Sequence, residues 1–378
     1  MTEKESALYS HYIIDGIRQD TTPADLMNEC LEFPDPEITG SFADIIDEST
    51  DPPVTSFTYD CSLNGHYAKQ TAAASVTERA FRMLYPMHFT RLQVTKALLS
   101  RLWSKGHFRL GDLRIWAQWD WNTRPIGNMA AFYTSVETVS DWLYNIGVKM
   151  NDYVFIESDE ESNVKFFAWL PEYEEGEVSG MEVVEPYESH HPWISEERNC
   201  PRELVPDEDS RIIYIPFDTC SFKIGGSLLA EVHGHNGGPA PQMVDPDYFI
   251  DCYEVIRELV EDGIIMSGVT TADGGLATAA MRMCNGLGMD MDISGLISSY
   301  QPTDSTKVLF SEVPGVLVQV SEDNYDYFDS QLLLQDVAYY PVGRITADRP
   351  GLRFIESADR EVAGILASLL AQASEGED

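Results

Sequence analysis

Along this chain, apolar positions recur at helical spacing in some stretches and in short apolar runs in others, and the two kinds alternate. The most regular pattern lies near the end, where Val362, Ile365, Leu366 and Leu369 fall on one face of a helix predicted over about 359–373. Helices are also predicted over 23–31, 134–146, 248–262, 276–284 and 323–334. A further stretch, 75–103, reads as one or two amphipathic helices interrupted at Pro86. Strands are predicted over 54–60 from its Thr, Phe and Tyr content, and over 113–121, 181–184, 307–310, 315–320, 337–340 and 352–355. The segment 154–170 reads as one or two strands with a polar interruption, and 211–217 as a buried strand. This alternation argues an α/β or α+β chain, and no internal repeat is visible.

Punctuation divides the pattern. Residues 1–52 form an acidic leader closed by Asp51-Pro52-Pro53, and 171–209 is an acidic, Pro- and Gly-rich crossover between domains at 53–170 and 210–378. A chain of 378 residues accommodates two such domains with sizeable cores. No run of about 20 apolar residues exists, so no spanning helix is expected. The start, Met1-Thr2-Glu3-Lys4-Glu5, lacks the apolar core of a secretion signal. Six scattered cysteines without C-x-x-C spacing fit reduced thiols in a cytoplasmic setting.

The chemistry concentrates in Thr270-Thr271-Ala272-Asp273-Gly274-Gly275-Leu276. Asp-Gly-Gly before an Ala-rich apolar run reads as a tight loop opening a helix. The glycines permit close backbone approach, Asp273 can cap, and the helix N-terminus favours an anion. Alone, this is a capping loop; its surroundings make it specific. Upstream stand Gly225-Gly226-Ser227-Leu228-Leu229-Ala230-Glu231-Val232 and Val244-Asp245-Pro246. Downstream stands Leu309-Phe310-Ser311-Glu312-Val313-Pro314-Gly315-Val316-Leu317-Val318-Gln319-Val320.

That order resembles the C-terminal half of the formylglycinamide ribonucleotide amidotransferase (FGAM synthase, PurL) family, and within it the second of two tandem synthetase modules. The family writes these segments as "ALAQV", "SDGGL" and "LFNEELGxVIQV". A weaker match runs N-terminal: 73–99 takes the place of the helix ending "VGEALTN", 113–119 of the strand "VKLSANW", and 131–150 of the helix that follows. The resemblance implies an α+β (α/β), AIR-synthetase-like two-domain module, with an N-terminal half-barrel β domain and a C-terminal α/β sandwich domain. It implies purine biosynthesis by an ATP-dependent, amidine-forming C–N ligase. It implies also a homodimer, or pairing with another synthetase module, through the N-terminal β-barrel, because an unpaired sheet edge is a liability. Gly225, Gly226, Asp273, Gly274, Gly275 and Glu312 are the nucleotide- or phosphate-binding candidates it marks, with ATP or ADP and Mg²⁺ as the cofactors.

Several positions depart from the family pattern. Lys96 stands where "VGEALTN" has Glu, and Ser100 where it has Asn, so a metal-binding carboxylate has become a cation. Val269 and Thr270 replace the His and first Asp of "HDxSDGGL". Tyr153-Val154-Phe155-Ile156-Glu157 replaces "GKDSM", and Asn64-Gly65-His66-Tyr67-Ala68-Lys69 keeps only the Gly of "MGERTP". The glutaminase machinery has no counterpart. No catalytic residue and no metal ligand is assigned, and nucleotide binding is expected to be weakened or lost. Two functions remain open: an FGAM synthase-like subunit completed by partners, and an inactive structural or interaction protein of a viral or regulatory kind.

Composition adds 63 acidic residues against 25 basic, a net charge of −38. Nucleic acid and anionic membranes are therefore not expected partners. High-salt adaptation, solubility in a crowded cell and DNA mimicry each produce such a surface. Of the remaining candidates, His233-Gly234-His235-Asn236 reads as a loop lacking a third metal ligand at recognised spacing. His190-His191 reads as exposed, Asp290-Met291-Asp292 as a solvated strand edge, and Glu160-Glu161 and Glu174-Glu175 as solvated charge. Trp116, Trp119 and Trp121 read as core and barrel packing.

Overall fold

The computed structural model describes residues 6–34, 44–52, 57–171, 197–284, 286–300 and 303–355. The strand expected at 181–184, the helix at 359–373, His190-His191 and Glu174-Glu175 lie outside them. The helices are α1 Ser6–Tyr9, α2 Pro23–Cys30, α3 Asn64–Ala74, α4 Pro86–Arg101, α5 Asn128–Ile146, α6 Leu228–Val232, α7 Pro246–Glu261, α8 Gly275–Met283, α9 Ser294–Ser299, α10 Ser305–Phe310 and α11 Glu322–Leu334. The strands are β1 Tyr12–Ile14, β2 Ile17–Arg18, β3 Ile45–Asp47, β4 Arg114–Trp121, β5 Lys149–Glu157, β6 Asn163–Trp169, β7 Arg211–Pro216, β8 Ile265–Thr271, β9 Gly288–Met291, β10 Gly315–Val320, β11 Tyr340–Thr346 and β12 Gly351–Phe354. They form sheets ordered β2-β1-β3, β5-β4-β6 and β12-β9-β11-β7-β10-β8. The fold is α+β, as expected, and the free cysteines include all six.

The six-stranded sheet owes its position to strands that are apolar on both faces. In β7 and β10, Ile213, Ile215, Val316, Val318 and Val320 join one core, while Ile212, Tyr214 and Leu317 join another on the opposite side. Period-two alternation divides each strand between two cores. One core is closed by α7, where Asp245 caps through Tyr248 N at 3.0 Å and Phe249, Cys252, Tyr253, Ile256, Leu259 and Val260 are buried. That same core runs on to α4, α5 and the buried face of β4, with Ile115, Ala117, Trp119 and Trp121. The second core is closed by α8 and α10.

Several segments differ from expectation: α3 and β8 were not expected, and the strand read at 337–340 runs instead over β11. The stretch 75–103 is not a helix broken at Pro86: α4 starts there, with proline at its first position, and 75–85 is irregular. Residues 307–310 belong to α10 rather than a strand, because Asp304 caps it through Lys307 N at 2.8 Å. Of 54–60, the described residues 57–60 are not a strand. The acidic leader is built in: Tyr12 is fully buried, α2 packs on α5, and Asp47 accepts from Gly127 N, Met129 N and Ala130 N at 2.8, 2.9 and 3.0 Å.

Candidate functional site

The β8–α8 loop carries Asp273, Gly274 and Gly275, and both glycines take left-handed backbone, φ +77° and +69°. A Cβ on Gly275 would lie 2.7 Å from Ser311 O, so only glycine lets the loop close on the strand entry that bears Glu312. Glu312 is 1% exposed. Its Oε1 accepts from Gly274 N and Leu228 N, both at 2.8 Å, and so sits between the starts of α8 and α6. A carboxylate of the chain itself thus fills the anion-favouring corner.

A cation binds this corner together. Arg79, from the irregular segment before α4, donates to Asp273 Oδ1 at 2.8 Å, to both Glu312 oxygens at 3.0 and 3.1 Å, to Glu231 at 3.2 Å and to Gly226 O at 3.0 Å. Lys96 Nζ bonds Asp273 Oδ2, Gln93 Nε2 donates to Oδ1 at 3.2 Å, and Arg82 pairs with Glu231. Three carboxylates therefore meet three cations in one neutral cluster. Burial would raise Asp273, but Lys96 and Arg79 outweigh it and hold the carboxyl down at about 2. Burial raises Glu312, against the pull of Arg79. In Arg82, burial and then the Arg79 charge lower the guanidinium to about 10.

Gly225 and Gly226 serve this architecture by close packing. A Cβ on Gly225 would stand 2.1 Å from Gly238 O, and one on Gly226, at φ +71°, would stand 2.9 Å from the Tyr85 ring. Their amides are engaged, Gly225 N with Pro239 O at 2.9 Å and Gly226 N with Asn236 O at 3.0 Å. Gly275 N likewise donates to Ala272 O at 2.9 Å. The structure thus brings Gly226, Asp273, Gly274, Gly275 and Glu312 into one corner and sets Gly225 beside it. Each of the four glycine amides already has a partner within the chain.

Above Asp273 opens a cavity of about 350 Å³. Its lining includes Arg79, Lys96 and Gln93 below, Lys165 from β6, and the rings of Phe89 and Phe167. Lys165 meets Glu78 at 3.1 Å and Asp120 at 3.8 Å. Sequence reading missed Arg79 and Lys165. A signal for Arg79 existed: Glu78-Arg79 carries the Glu-Arg pair of "MGERTP", sought instead at 64–69.

The other candidates fall elsewhere. His235 stacks on Phe57 with centroids 4.1 Å apart; its Nδ1 accepts from Gly237 N at 3.1 Å, and Nε2 meets Tyr59 Oη at 2.9 Å. Both nitrogens are engaged, so His235 is a packed loop residue. Asp290 lies on β9, inside the sheet order rather than at its edge, and takes a bidentate contact from Arg353 at 2.8 and 2.6 Å.

Residues 217–354 match the family described as AIR synthase related protein, C-terminal domain. The chain is 24% identical over 290 residues to the probable phosphoribosylformylglycinamidine synthase, chloroplastic/mitochondrial, of Arabidopsis thaliana, covering 72% of this chain and 19% of that one. Against the phosphoribosylformylglycinamidine synthase of Dictyostelium discoideum it is 24% identical over 269 residues, covering 69% and 19%. Among solved structures it is similar to T. maritima PurL complexed with FGAR (TM-score 0.49, 12% identity, 73% of this chain and 42% of that one) and complexed with ATP (0.48, 13%, 72% and 40%). The resemblance to the FGAM synthase family thus holds, and the chain spans about a fifth of the length of the curated relatives it matches. No described helix is long and apolar enough to cross a membrane.

Proposed function

We propose that this chain is a single FGAM-synthase-type module that keeps the scaffold and has given up metal–nucleotide chemistry, serving as a structural or interaction subunit. The observation carrying this reading is the pair Lys96–Asp273. A divalent cation bound to a nucleotide needs carboxylate oxygens facing open coordination positions. Here Asp273 Oδ2 is on Lys96, Oδ1 is on Arg79 and Gln93, and Glu312 is spent on Arg79 and two amides. The donor set does not fit a metal, and the glycine amides do not offer themselves to phosphate. The departures at Lys96, Ser100, Val269 and Thr270 point the same way.

The division at 53–170 and 210–378 is part of the proposal, supported by the sheets: β5-β4-β6 falls in the first range and the six-stranded sheet in the second. So is pairing through the N-terminal sheet, as a homodimer or with another module, in the cytoplasm. Phe167 and Ile156, 40% and 41% exposed on β6 and β5, give that pairing apolar anchors.

Calorimetric titration with Mg²⁺·ATP and Mg²⁺·ADP, at low and high salt, tests the central claim. No heat is expected. Micromolar binding that disappears in Asp273→Ala would overturn it in favour of a nucleotide-using subunit in purine biosynthesis, completed by partners.

A further inference from the structure

We propose that the cavity above Asp273 is a metal-independent site for a small organic anion, one phosphate- or carboxylate-like head on an apolar ring. This rests on the reading that Lys96 has replaced a metal ligand, and gives the altered site an occupant.

Charged donors gathered in one recess carry the inference. Acidic residues outnumber basic ones 63 to 25 over the whole chain. In the cavity lining the order reverses, with Arg79, Lys96 and Lys165 against Glu78 and Asp273. Each of these cations is also ion-paired, Arg79 and Lys96 with Asp273 and Lys165 with Glu78, so an anion is held here by charged N–H donors at short range rather than by a net positive potential. Lys96 has protons to spare: its ammonium carries three N–H groups, of which Asp273 takes one and Gln93 Oε1, at 3.5 Å, engages another weakly. Its side chain is 48% exposed, so the head group reaches it without displacing protein atoms.

The apolar part follows from the walls. Phe89, Phe166, Phe167, Val164 and Ala97 line the same space as the ammonium groups. At about 350 Å³ it falls in the lower part of the range of small-molecule sites, about 300–1,000 Å³. A ring between phenylalanines with its charge toward Lys96 and Lys165 satisfies both parts. Metal has no role, because Asp273, the carboxylate that would hold it, is already neutralised.

The probe is 4-fluorophenyl phosphate, followed by ¹⁹F NMR on the full chain in EDTA. Inorganic phosphate and 4-fluorophenol serve as head-only and ring-only comparisons. The expected result is binding of the aryl phosphate without metal, weaker at high salt, with inorganic phosphate weaker and the phenol weaker still. Lys96→Ala and Lys165→Ala should each lower affinity about fivefold or more, and Lys96→Arg should retain most of it. Should Lys165→Ala not fold, Lys165→Arg and Lys165→Gln give the same contrast of charge kept against charge removed. The proposal is overturned by no binding, by binding that appears only with Mg²⁺, or by charge-removed variants that bind like the parent. The first outcome leaves the non-catalytic reading intact; the second sinks both.

Discussion

Two carboxylates of this protein hold helix starts that lie far from them in the chain. At α8, Glu312 accepts from Gly274 N; at α5, Asp47 accepts from Gly127 N, Met129 N and Ala130 N. Each fills the partial positive charge of a helix start. They differ in burial and company. Asp47 is only partly buried, and three amides satisfy it. Glu312 is sealed, and beside it lies a second carboxylate, Asp273, so Arg79 is needed to neutralise both. The same local device is a simple clasp where water reaches it and an ionic keystone where water does not.

Removing the keystone is the strongest way to break that comparison. Arg79→Ala leaves Asp273 and Glu312 buried without the guanidinium they share, and should cost about 3–5 kcal/mol in urea unfolding. A loss below about 1 kcal/mol would mean the cluster relaxes into solvent and is no keystone. Packing comes next. Gly225→Ala forces a methyl against the Gly238 carbonyl and should cost about 1–3 kcal/mol or more. Gly65→Ala, in α3 with nothing within 4 Å, should instead stabilise by up to about 1 kcal/mol. Equal effects would refute the close-approach account. The clasp at α5 should be worth less than the keystone: Asp47→Ala is expected to cost about 0.5–2 kcal/mol.

Those two helix starts also separate what was legible in the sequence from what was not. The α8 corner was visible because each of its parts is a short pattern that stands out on its own: Asp-Gly-Gly, an Ala-rich helix, and the apolar run of β10 just after Glu312. Arg79 lies 194 residues from Asp273 and 233 from Glu312; no periodicity links positions so distant. Its segment also looked like the start of a helix, whereas its backbone is irregular. Asp47 was hidden among the carboxylates of an acidic stretch read as a leader. The misread at 307–310 has a simpler cause. Four residues, one lysine and three apolar, suit a strand or a helix turn equally, and the Asp304 cap decided it. By contrast β4, β7, β10, α7 and α11 were found within a few residues, since long apolar patterns bury the same way wherever the chain takes them.

The smallest effect concerns His235, where the clasp idea extends to a ring that must stay neutral. Nδ1 accepts from Gly237 N, so the ring proton sits on Nε2 toward Tyr59, and a second proton on Nδ1 would face an N–H. Burial and then the neighbouring His233 lower its pKa below the usual 6.5. The other groups packed on the ring, Phe57 and Tyr59, bring no carboxylate to reverse this. As pH falls below about 6.5, the unfolded chain binds a proton that the folded chain resists, so stability from this residue is present above that pH and declines beneath it. Protonation of the many surface carboxylates works in the opposite direction at lower pH by relieving the −38 charge. The contribution is therefore read as a difference: urea midpoints of the parent and His235→Phe, which keeps the stack, between pH 7.5 and 5.5. The parent's advantage should shrink on acidification; an advantage that stays constant would show that the ring accepts its proton without loosening the 57–63 segment.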